Sequence, residues 1–356
     1  GSIYRALIFL VTSCPCSIAI SVPLSYFSGI GKSSKEGILI KGSDYIDAIK
    51  NIREIVFDKT GTLTKGEFDI KKIETYADYD ENEVLKYAAI GENYSNHPIA
   101  RSIIKKYSHD IKNENIEDFA EIAGKGISYK YQDKIIFVGN SELVGTENLN
   151  KNDFDMTKIY VKINDILAGA ILLGDEIKEG TTETIRKLNN LGIKTSMFTR
   201  DNKEIAEKIG KEIGIQNIKS EMLPQDKYNE IEKLINNYSN IGNKGAKVAF
   251  VGDGINDSPV LARADVGISM GGIGSESAIE ASDVVIMTDN ISKIIKAIEI
   301  SKKTCKIIKQ NLIFSISVKL IILLLSTIGI GGIWQAVFAD VGVTIITIFN
   351  TLRILK

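Results

Sequence analysis

VFDKTGTLT, residues 56–64, is the stretch of sequence that decides the fold. Residues 54–57 predict a short buried strand that delivers Asp58 into a polar loop beginning with Lys59 and Thr60. A carboxylate attacks a phosphoryl group well only if a cation and backbone amides neutralise the oxygens around it, and a glycine-bearing loop supplies such amides. We therefore expect Asp58 to be a nucleophile; the alternative is a turn that merely contains the string DKTG.

A second apolar strand ends in the same kind of loop. Residues 248–259 read VAFVGDGINDSP, so that Asp253 follows the strand and Asp257 comes shortly after it. Carboxylates at the carboxyl ends of neighbouring parallel strands converge at the crevice where an open α/β sheet binds its ligands. Because Mg2+ prefers a few carboxylates together with phosphate oxygens and water, we expect Asp58, Thr60 and Asp253 to hold one Mg2+.

With both strings present, the chain resembles the P-type ATPases of the haloacid dehalogenase-like superfamily over nearly its whole length. The resemblance implies an α/β fold: a Rossmannoid phosphorylation domain with an inserted α+β nucleotide-binding domain, plus transmembrane α-helices. It also implies that ATP and Mg2+ are the cofactors.

The resemblance assigns further catalytic residues. MLPQDK places Lys227 after Leu-Pro-x-Asp, where the family has its phosphate-binding lysine. Residues 193–199 predict a strand that ends at Thr199, whose hydroxyl group can bond a phosphate oxygen. Asp201 follows, but Arg200 stands where the family usually has glycine. We expect Arg200 to need a backbone conformation that glycine adopts more cheaply, or alternatively to add charge near the nucleotide.

Two residues after the second strand complete this catalytic set. Asn256 is expected to help position the phosphoryl group, and Asp257 to orient the metal or one of its water ligands. Phosphatases of the superfamily carry a second carboxylate two residues after the nucleophile, which catalyses rapid hydrolysis of the phosphoaspartate. That position is Thr60 here, so the covalent intermediate is expected to last long enough to drive a conformational change.

The composition is uneven along the chain. Of 356 residues, 25% are charged and 44% hydrophobic, with apolar ends around a charged middle. The net charge of −1 gives no indication of nucleic acid as a partner. Three cysteines are too few for a disulfide framework, so we expect free thiols. The chain begins Gly-Ser without a Met, and we expect it to be a piece of a longer protein that also carries an actuator domain and earlier membrane helices.

Residues 3–30 are apolar enough to cross a bilayer and contain Cys14-Pro15-Cys16. Pro15 removes a backbone donor, so the helix must open there, next to two thiols. Thiolates are soft ligands that select ions such as Cu(I), Zn2+, Cd2+ or Pb2+. Two buried structural cysteines are the alternative. In the heavy-metal branch of the P-type ATPases, a Cys-Pro-Cys at this place resembles the transport site.

Two further apolar spans close the chain, and each contains an ionisable residue. Such a residue is costly in hydrocarbon, so Lys319 and Asp340 are candidate functional groups unless Lys319 snorkels. Lys in one span and Asp-x-Gly in the next resemble the zinc, cadmium and lead exporters rather than the copper transporters. A carboxylate beside two thiolates also suits a divalent ion better than Cu(I). We expect the transported ion at Cys14, Cys16 and Asp340, with Lys319 as a counter-ion.

A third group of residues resembles the nucleotide-binding domain of the heavy-metal branch, where His and Glu hold adenine. Helix capping is the alternative role of the histidine. The matching residues are Glu92, His97, Pro98, Gly124, Gly126, Gly139 and Asn140.

The expected division of the chain places the catalytic part in the cytosol and makes the protein a multi-pass component of the cytoplasmic membrane. It comprises a transmembrane helix (1–30), the phosphorylation domain (31–66 and 168–295), the nucleotide-binding domain (67–167), a basic juxtamembrane helix (296–310) and two transmembrane helices (311–330 and 333–352). The expected partners are the bilayer, the transported divalent ion and the remaining part of the same pump.

Three alternatives to a zinc, cadmium or lead exporter stay open at this point. They are a Cu(I)-transporting relative, a membrane-anchored phosphatase, and a metal-binding membrane subunit without catalysis. Thr60 argues against the phosphatase, and the intact Asp58, Lys227 and Asp253 argue against the non-catalytic subunit.

Overall fold

The computed structural model describes residues 10, 13–95, 98–107, 111, 114–122, 124–146, 157–240, 245–253, 257–271 and 276–356. His97 and Asn256, both expected at functional sites, lie outside these residues.

In the described part of the chain, thirteen strands form two separate sheets. The strands are β1 (Ile38–Ile40), β2 (Ile52–Asp58), β3 (Thr64–Thr75), β4 (Glu117–Ile122), β5 (Gly126–Tyr131), β6 (Lys134–Gly139), β7 (Thr157–Ile163), β8 (Ile166–Ile177), β9 (Lys194–Phe198), β10 (Asn217–Lys219), β11 (Lys247–Gly252), β12 (Val266–Met270) and β13 (Val284–Ile286).

The helices of the described residues are α1 (Cys16–Lys35), α2 (Ser43–Lys50), α3 (Glu81–Glu92), α4 (Pro98–Tyr107), α5 (Ser141–Val144), α6 (Thr181–Asn190), α7 (Lys203–Ile213), α8 (Pro224–Asn240), α9 (Ser258–Arg263), α10 (Glu276–Ala281), α11 (Lys293–Thr327), α12 (Ile333–Val337) and α13 (Val343–Thr351). A loop at Lys59–Leu63, in which Thr60 and Gly61 have non-helical dihedral angles, a π-helical turn at Phe338–Gly342 and a 3-10 turn at Leu352–Ile354 complete the described elements.

The first sheet has the order β1-β13-β12-β11-β2-β9-β10, and only the pairing of β1 with β13 is antiparallel. Strands β2 and β11 lie next to each other near its centre. Nearly every side chain of these two strands is buried, as expected for parallel strands that are covered on both faces. Their apolar runs, which the sequence shows directly, therefore place residues 52–58 in the middle of the sheet.

The second sheet is antiparallel, with the order β3-β8-β7-β6-β5-β4. The expected start of the second part of the phosphorylation domain, residue 168, falls within β8, which does not join the parallel sheet. Strand β8 pairs with β3 and β7 instead, and Ile171 lies opposite both Ile73 and Ile159. The physical reason is that β8 is a long apolar strand, and its buried side chains pack with those of β3 and α3 in the second core.

Among the described residues, two helical segments near the C-terminal end are long and apolar enough to cross a membrane, Lys293–Thr327 and Ile333–Ile354. The expected basic helix (296–310) and the expected span (311–330) belong to one continuous helix, α11. The sequence there contains no proline or glycine that would interrupt it. Helix α1 likewise continues past the expected end at residue 30, to Lys35.

Two glycines allow β5 and β6 to approach each other closely. Gly126 has a φ of +141°, and a Cβ atom there would lie 2.2 Å from the carbonyl oxygen of Val138. A Cβ atom at Gly139 would lie 2.2 Å from the carbonyl oxygen of Lys125. Both contacts are with backbone atoms, which cannot move aside without separating the strands.

We predict that Gly139→Ala lowers the free energy of unfolding by roughly 1–3 kcal/mol or more, because the added methyl group overpacks the strand pair. Urea unfolding of the purified chain, followed by far-ultraviolet circular dichroism, measures the change. Gly245→Ala is the control, since a Cβ atom at Gly245 meets no atom within 4 Å. Equal stability of the two variants would contradict this reading.

Candidate active site and metal-binding cluster

Strands β2, β9 and β11 run parallel and side by side, so their carboxyl ends lie at one edge of the first sheet. Asp58 is the last residue of β2 and lies opposite Phe198, which is the residue before Thr199. Asp253 follows the last residue of β11. The structure therefore brings together three residues that the sequence predicted at this edge, as the topology of a parallel sheet requires.

The buried ammonium group of Lys227 joins two carboxylates at this edge, those of Asp58 and Asp257. Lys227 Nζ lies 2.5 Å from Asp58 Oδ1 and 3.1 Å from both carboxylate oxygens of Asp257. Only 3% of Lys227 and 2% of Asp257 are exposed. Lys227 lies in the first turn of α8, which begins at Pro224 as the LPQDK string predicted. Charges so poorly solvated must be paired, and here each cation-to-carboxylate contact is direct.

Burial raises the pKa of Asp58 to about 6 from its ordinary value of 3.8. Lys227 opposes this rise, while the neighbouring carboxylates of Asp257 and Asp253 add to it. The carboxylate edge thus has more negative charge than one lysine neutralises. A divalent cation would relieve that excess, and the donor set of Asp58 and Asp253 fits Mg2+, which prefers hard oxygen ligands.

The loop after Asp58 depends on Gly61. This residue has a φ of +74°, and a Cβ atom on it would lie 2.8 Å from Asp253 Oδ2. Its carbonyl group accepts a hydrogen bond from Lys178, which also forms an ion pair with Asp289. Sequence reasoning missed Lys178, although it lies three residues after Asp175 and is buried. A lone lysine after a strand gives no local sign that it fixes a loop more than 110 positions away in sequence.

Lys59 and Thr60 do not share the environment of Asp58. Lys59 is buried and pairs with Asp201 at 2.7 Å and with Asp175 at 3.6 Å. Thr60 is exposed. These residues line a cavity of about 350 Å3 beside the catalytic loop, which also contains Gly66 and Lys208. Lys59 therefore holds the loop of Asp201 against the nucleophile's own loop.

Thr199 and Asp201 form a tight turn after β9. The Thr199 side chain is 2% exposed, and its hydroxyl oxygen accepts a hydrogen bond from the Asp201 backbone amide at 3.1 Å. Arg200 between them is exposed and is not one of the residues with positive φ. The expected backbone cost of replacing glycine by Arg200 therefore does not arise, because the turn keeps φ in the ordinary range.

A second cavity, of about 230 Å3, lies at the edge of the antiparallel sheet. Its lining includes five of the residues expected to bind the nucleotide: Glu92, Gly124, Gly126, Gly139 and Asn140. Pro98 begins α4, next to this cavity in sequence. Ser95, which belongs to the same sequence resemblance, also lines it, and so does Glu121, which was missed because it belongs to no recognisable string.

Within this cavity, Asn140 has a structural role that the sequence does not reveal. Its amide nitrogen donates to the Gly124 carbonyl at 3.1 Å, and its side-chain oxygen caps α5 by accepting from the Leu143 amide. Glu92 differs, because burial raises its pKa to about 7, with a further rise from Glu121 and an opposing hydrogen bond from Ser95. Glu92 is therefore a carboxyl group that exchanges its proton near neutral pH.

The third cluster lies between the apolar helices. The ligand atoms of Cys14, Cys16 and Asp340 all lie within 4.8 Å of one another, and each residue is half-buried. Lys319 Nζ lies 3.6 Å from Asp340 Oδ1 and donates a hydrogen bond to the Cys14 carbonyl. The structure thus assembles the four residues that the sequence placed at the transport site, from three separate segments.

The expectation of free thiols is wrong for Cys14 and Cys16, which form a disulfide. They can reach each other because the helix is open at Pro15 and their Cα atoms are 5.5 Å apart, within the usual span of a disulfide. A disulfide offers no thiolate, so metal binding at this cluster requires reduction of the bond to two thiols. Cys305 is free.

Comparison with known proteins yields one family and a consistent set of relatives. Residues 52–265 match the family described as haloacid dehalogenase-like hydrolase. The chain is 45% identical to a zinc-transporting ATPase of Synechocystis sp. and 45% identical to a cadmium, zinc and cobalt-transporting ATPase of Bacillus subtilis. Each match covers 99% of this chain but 49% and 50% of the relative, so the chain spans about half the length of these proteins.

Solved structures give the same result. A zinc-transporting PIB-type ATPase in its E2.Pi state has a TM-score of 0.88 at 31% identity. The match covers 99% of this chain and 58% of the chain of that ATPase. The catalytic domain of the CPx-ATPase CopB-B, studied upon nucleotide binding, has a TM-score of 0.61 at 32% identity. It covers 76% of this chain and 98% of its own.

We predict that Asp58→Asn stabilises the Mg2+-free protein at pH 8. The pKa of Asp58 is higher in the folded protein than in the unfolded chain. Its carboxyl group therefore lowers the free energy of unfolding progressively as the pH rises from 3.8 to about 6, and by the full amount above that range. The gain in the free energy of unfolding is on the order of 1–3 kcal/mol at pH 8 and smaller at pH 4.5. Urea unfolding in EDTA at both values measures it.

Asp165→Asn serves as the control, because Asp165 is fully exposed and forms a surface ion pair with Lys162. Added Mg2+ should reduce the difference between wild type and Asp58→Asn. A gain that does not depend on pH, or that the control shares, would be inconsistent with a buried carboxylate cluster.

Proposed function

The chain belongs to the haloacid dehalogenase-like hydrolase family and, within it, to the heavy-metal-transporting P-type ATPases, and we propose from this premise that it is the catalytic and part of the transport portion of a pump that exports Zn2+ or Cd2+. The observation that carries the proposal is the presence, in one chain, of a buried Asp58–Lys227 pair and a Cys14–Cys16–Asp340 cluster.

Asp58 acts as the nucleophile toward ATP. Its carboxylate oxygen forms a bond to the γ-phosphorus while the bond from that phosphorus to the β,γ-bridging oxygen breaks, and ADP departs with the bond's electrons. Lys227, already 2.5 Å from Asp58, neutralises charge on the carboxylate and the transferred group. Bound Mg2+ would supply further charge neutralisation at Asp58 and Asp253, with Thr60 contributing through its position in the loop.

Asp257 keeps Lys227 in position, since both of its oxygens contact the ammonium group. Thr199 follows β9 at the same sheet edge as Asp58, where its hydroxyl group can bond a phosphate oxygen. Asn256 is assigned to the same task from the sequence. Thr60 provides no general base, which favours a phosphoaspartate that persists until another part of the pump brings water to it. These roles also argue against a simple phosphatase.

The metal specificity follows from the ligand set and from the relatives. Two thiolates with one carboxylate suit a borderline divalent ion, and similar proteins are named for zinc, cadmium and cobalt. Lead stays a prediction from the sequence. Lys319, 3.6 Å from Asp340, is assigned as the cation that pairs with the carboxylate when the metal ion is absent.

ATP is assigned to the cavity that contains Glu92, Gly126 and Asn140, with His97 and Pro98 as its sequence neighbours. The candidate spans support a membrane location, with several passes and the two sheets on the cytosolic side. Because the chain spans about half of its relatives, transport requires partner segments of the same pump.

We predict that ATP-dependent uptake of Zn2+ and Cd2+ into inverted membrane vesicles, measured with the complete pump, falls at least tenfold in Cys14→Ser and in Asp340→Asn, because each loses a ligand. Cys305→Ser is the matched control, since Cys305 lies outside the cluster and a serine hydroxyl group can donate the same hydrogen bond to Asp47. Wild-type uptake by Cys14→Ser, or an equal loss in the control, would refute the assignment of the transport site.

We predict that ATP binding weakens as the pH rises through about 7. A protonated Glu92 both donates and accepts hydrogen bonds and so matches the acceptor and donor on one edge of adenine, whereas its carboxylate can only accept. Fluorescence titration with an ATP analogue between pH 6 and pH 8.5 tests this. Glu92→Gln should bind with little pH dependence. The exposed Glu81→Gln should retain the wild-type profile, and a pH-independent wild type would count against the role of Glu92.

A further inference from the structure

A row of small hydroxyl residues follows the Cys-Pro-Cys break along one face of α1. Ser17, Ser21, Ser25, Ser28 and Ser33 are all buried. A stripe of small residues by itself only indicates that helices pack closely in a membrane. Further information comes from the residues that face the stripe and from the hydrogen bonds that its members make.

Helices α1 and α11 are antiparallel, and named contacts fix their register. Lys319 contacts Cys14 at one end of the interface. Farther along, a Cβ atom at Gly29 would lie 2.6 Å from the Thr304 hydroxyl oxygen. In this register Ser315 of α11 lies near the level of Ser17, one turn from Lys319.

Six hydroxyl groups in this region lack hydrogen-bond partners among the described residues, and we call them the hydroxyl seam. Each belongs to a side chain with 1% exposure or less. The members are Ser17, Ser21 and Ser33 of α1 and Ser301, Thr304 and Ser315 of α11.

Other hydroxyl groups on the same helices behave differently. Ser25 donates to the Ser21 carbonyl at 2.7 Å, and Ser326 donates to the Ile322 carbonyl at 2.8 Å, which is the usual solution for serine in an apolar helix. An unpaired buried hydroxyl group costs roughly 1–3 kcal/mol. Six such costs on two facing helices indicate that another partner, most simply water, occupies the interface.

The hydroxyl seam is interrupted once by a satisfied polar layer. Asn311 donates to Thr351 at 3.1 Å, and the Thr351 and Ser25 hydroxyl oxygens are 3.0 Å apart. Asn350 donates to Asn311 at 2.8 Å. This layer ties α1, α11 and α13 together. Ser17, Ser21 and Ser315 lie on the metal-cluster side of it, and Ser33, Ser301 and Thr304 lie on the side of the parallel sheet.

We propose that the hydroxyl seam is a hydrated access path by which the divalent ion reaches the Cys14–Cys16–Asp340 cluster from the cytosolic side, and that the Asn311–Thr351–Ser25 layer lies across it as a further set of polar contacts. The proposal rests on the proposed function. From Ser17 to Ser33 the path covers about 24 Å at the rise of an α-helix.

Its ends support this direction. Ser33 lies in the last turn of α1 between Lys32 and Lys35, next to the strand that enters the sheet. At the other end, Asp340 Oδ1 has no hydrogen-bond partner in the described part of the chain although it faces Lys319. A hydrated divalent ion needs oxygen contacts throughout its passage, and hydroxyl groups supply them without holding the ion tightly.

Thiol accessibility tests the hydration of the path. In the complete pump with its other cysteines replaced by serine, Ser301→Cys and Ser315→Cys are each exposed to a charged, membrane-impermeant methanethiosulfonate from the cytosolic side, without nucleotide. Ile316→Cys is the control, because Ile316 is 46% exposed and faces away from the interface. We expect both seam positions to react about tenfold faster than the control, since thiolates form only in water.

Rates equal to that of Ile316→Cys at both seam positions, whether slow or fast, would overturn the proposal. Equally slow reaction would mean a dry interface, and equally fast reaction would mean general exposure rather than a path. Serine to cysteine is nearly isosteric, so these variants preserve the packing.

A second measurement tests whether the path serves the metal ion. Ser21→Val and Ser315→Val should raise the Zn2+ concentration for half-maximal ATP hydrolysis about fivefold while kcat changes less than about twofold. Ser326→Val, whose hydroxyl group is satisfied within its own helix, should leave both unchanged. An unchanged half-maximal concentration in the first two variants overturns the path. If the wild-type pump shows no Zn2+-stimulated ATP hydrolysis, the proposed function fails, and the labelling rates still decide whether the seam is hydrated.

Discussion

The ammonium group of Lys227 is the interaction on which the catalytic edge depends. Without it, the buried carboxylates of Asp58 and Asp257 would lose the cation that they share, and burial would favour the protonated form of Asp58. The parallel sheet places these residues together because β2 and β11 are adjacent, and α8 brings the lysine to them from about 170 positions away in sequence. The excess negative charge that remains is what makes a divalent cation a natural component of the site.

The same chain connects this edge to the apolar helices. Helix α1 leads from the Cys-Pro-Cys break through β1 and α2 into β2, which ends at Asp58. Tyr26 on α1 donates a hydrogen bond to Asp47 on α2 at 2.5 Å, and Cys305 on α11 donates to the same carboxylate at 3.2 Å. A movement of either apolar helix therefore acts on the element that precedes the catalytic strand. Such a connection is what two linked binding sites require.

Much of this arrangement could be predicted from the sequence, and the failures have physical causes. Buried strands ending in Asp58 and Asp253 are local patterns, so their placement followed from the topology of parallel sheets. The pairing of β8 could not be predicted, because an apolar strand fits either sheet and only long-range packing decides between them. Lys178 and the disulfide depend on contacts across the fold or across an open turn. Asn140 matched a family pattern, yet its side chain caps a helix and bonds Gly124.

The central claim is that occupation of the Cys14–Cys16–Asp340 cluster controls phosphorylation of Asp58. The most direct test is to expose the complete, reduced pump to radiolabelled ATP with and without Zn2+ and to measure acid-stable label on the peptide that contains Asp58. We expect Zn2+ to increase the label several-fold in the wild type and to have no effect in Cys14→Ser. Label that is independent of Zn2+ in the wild type, or label on a residue other than Asp58, would contradict the account.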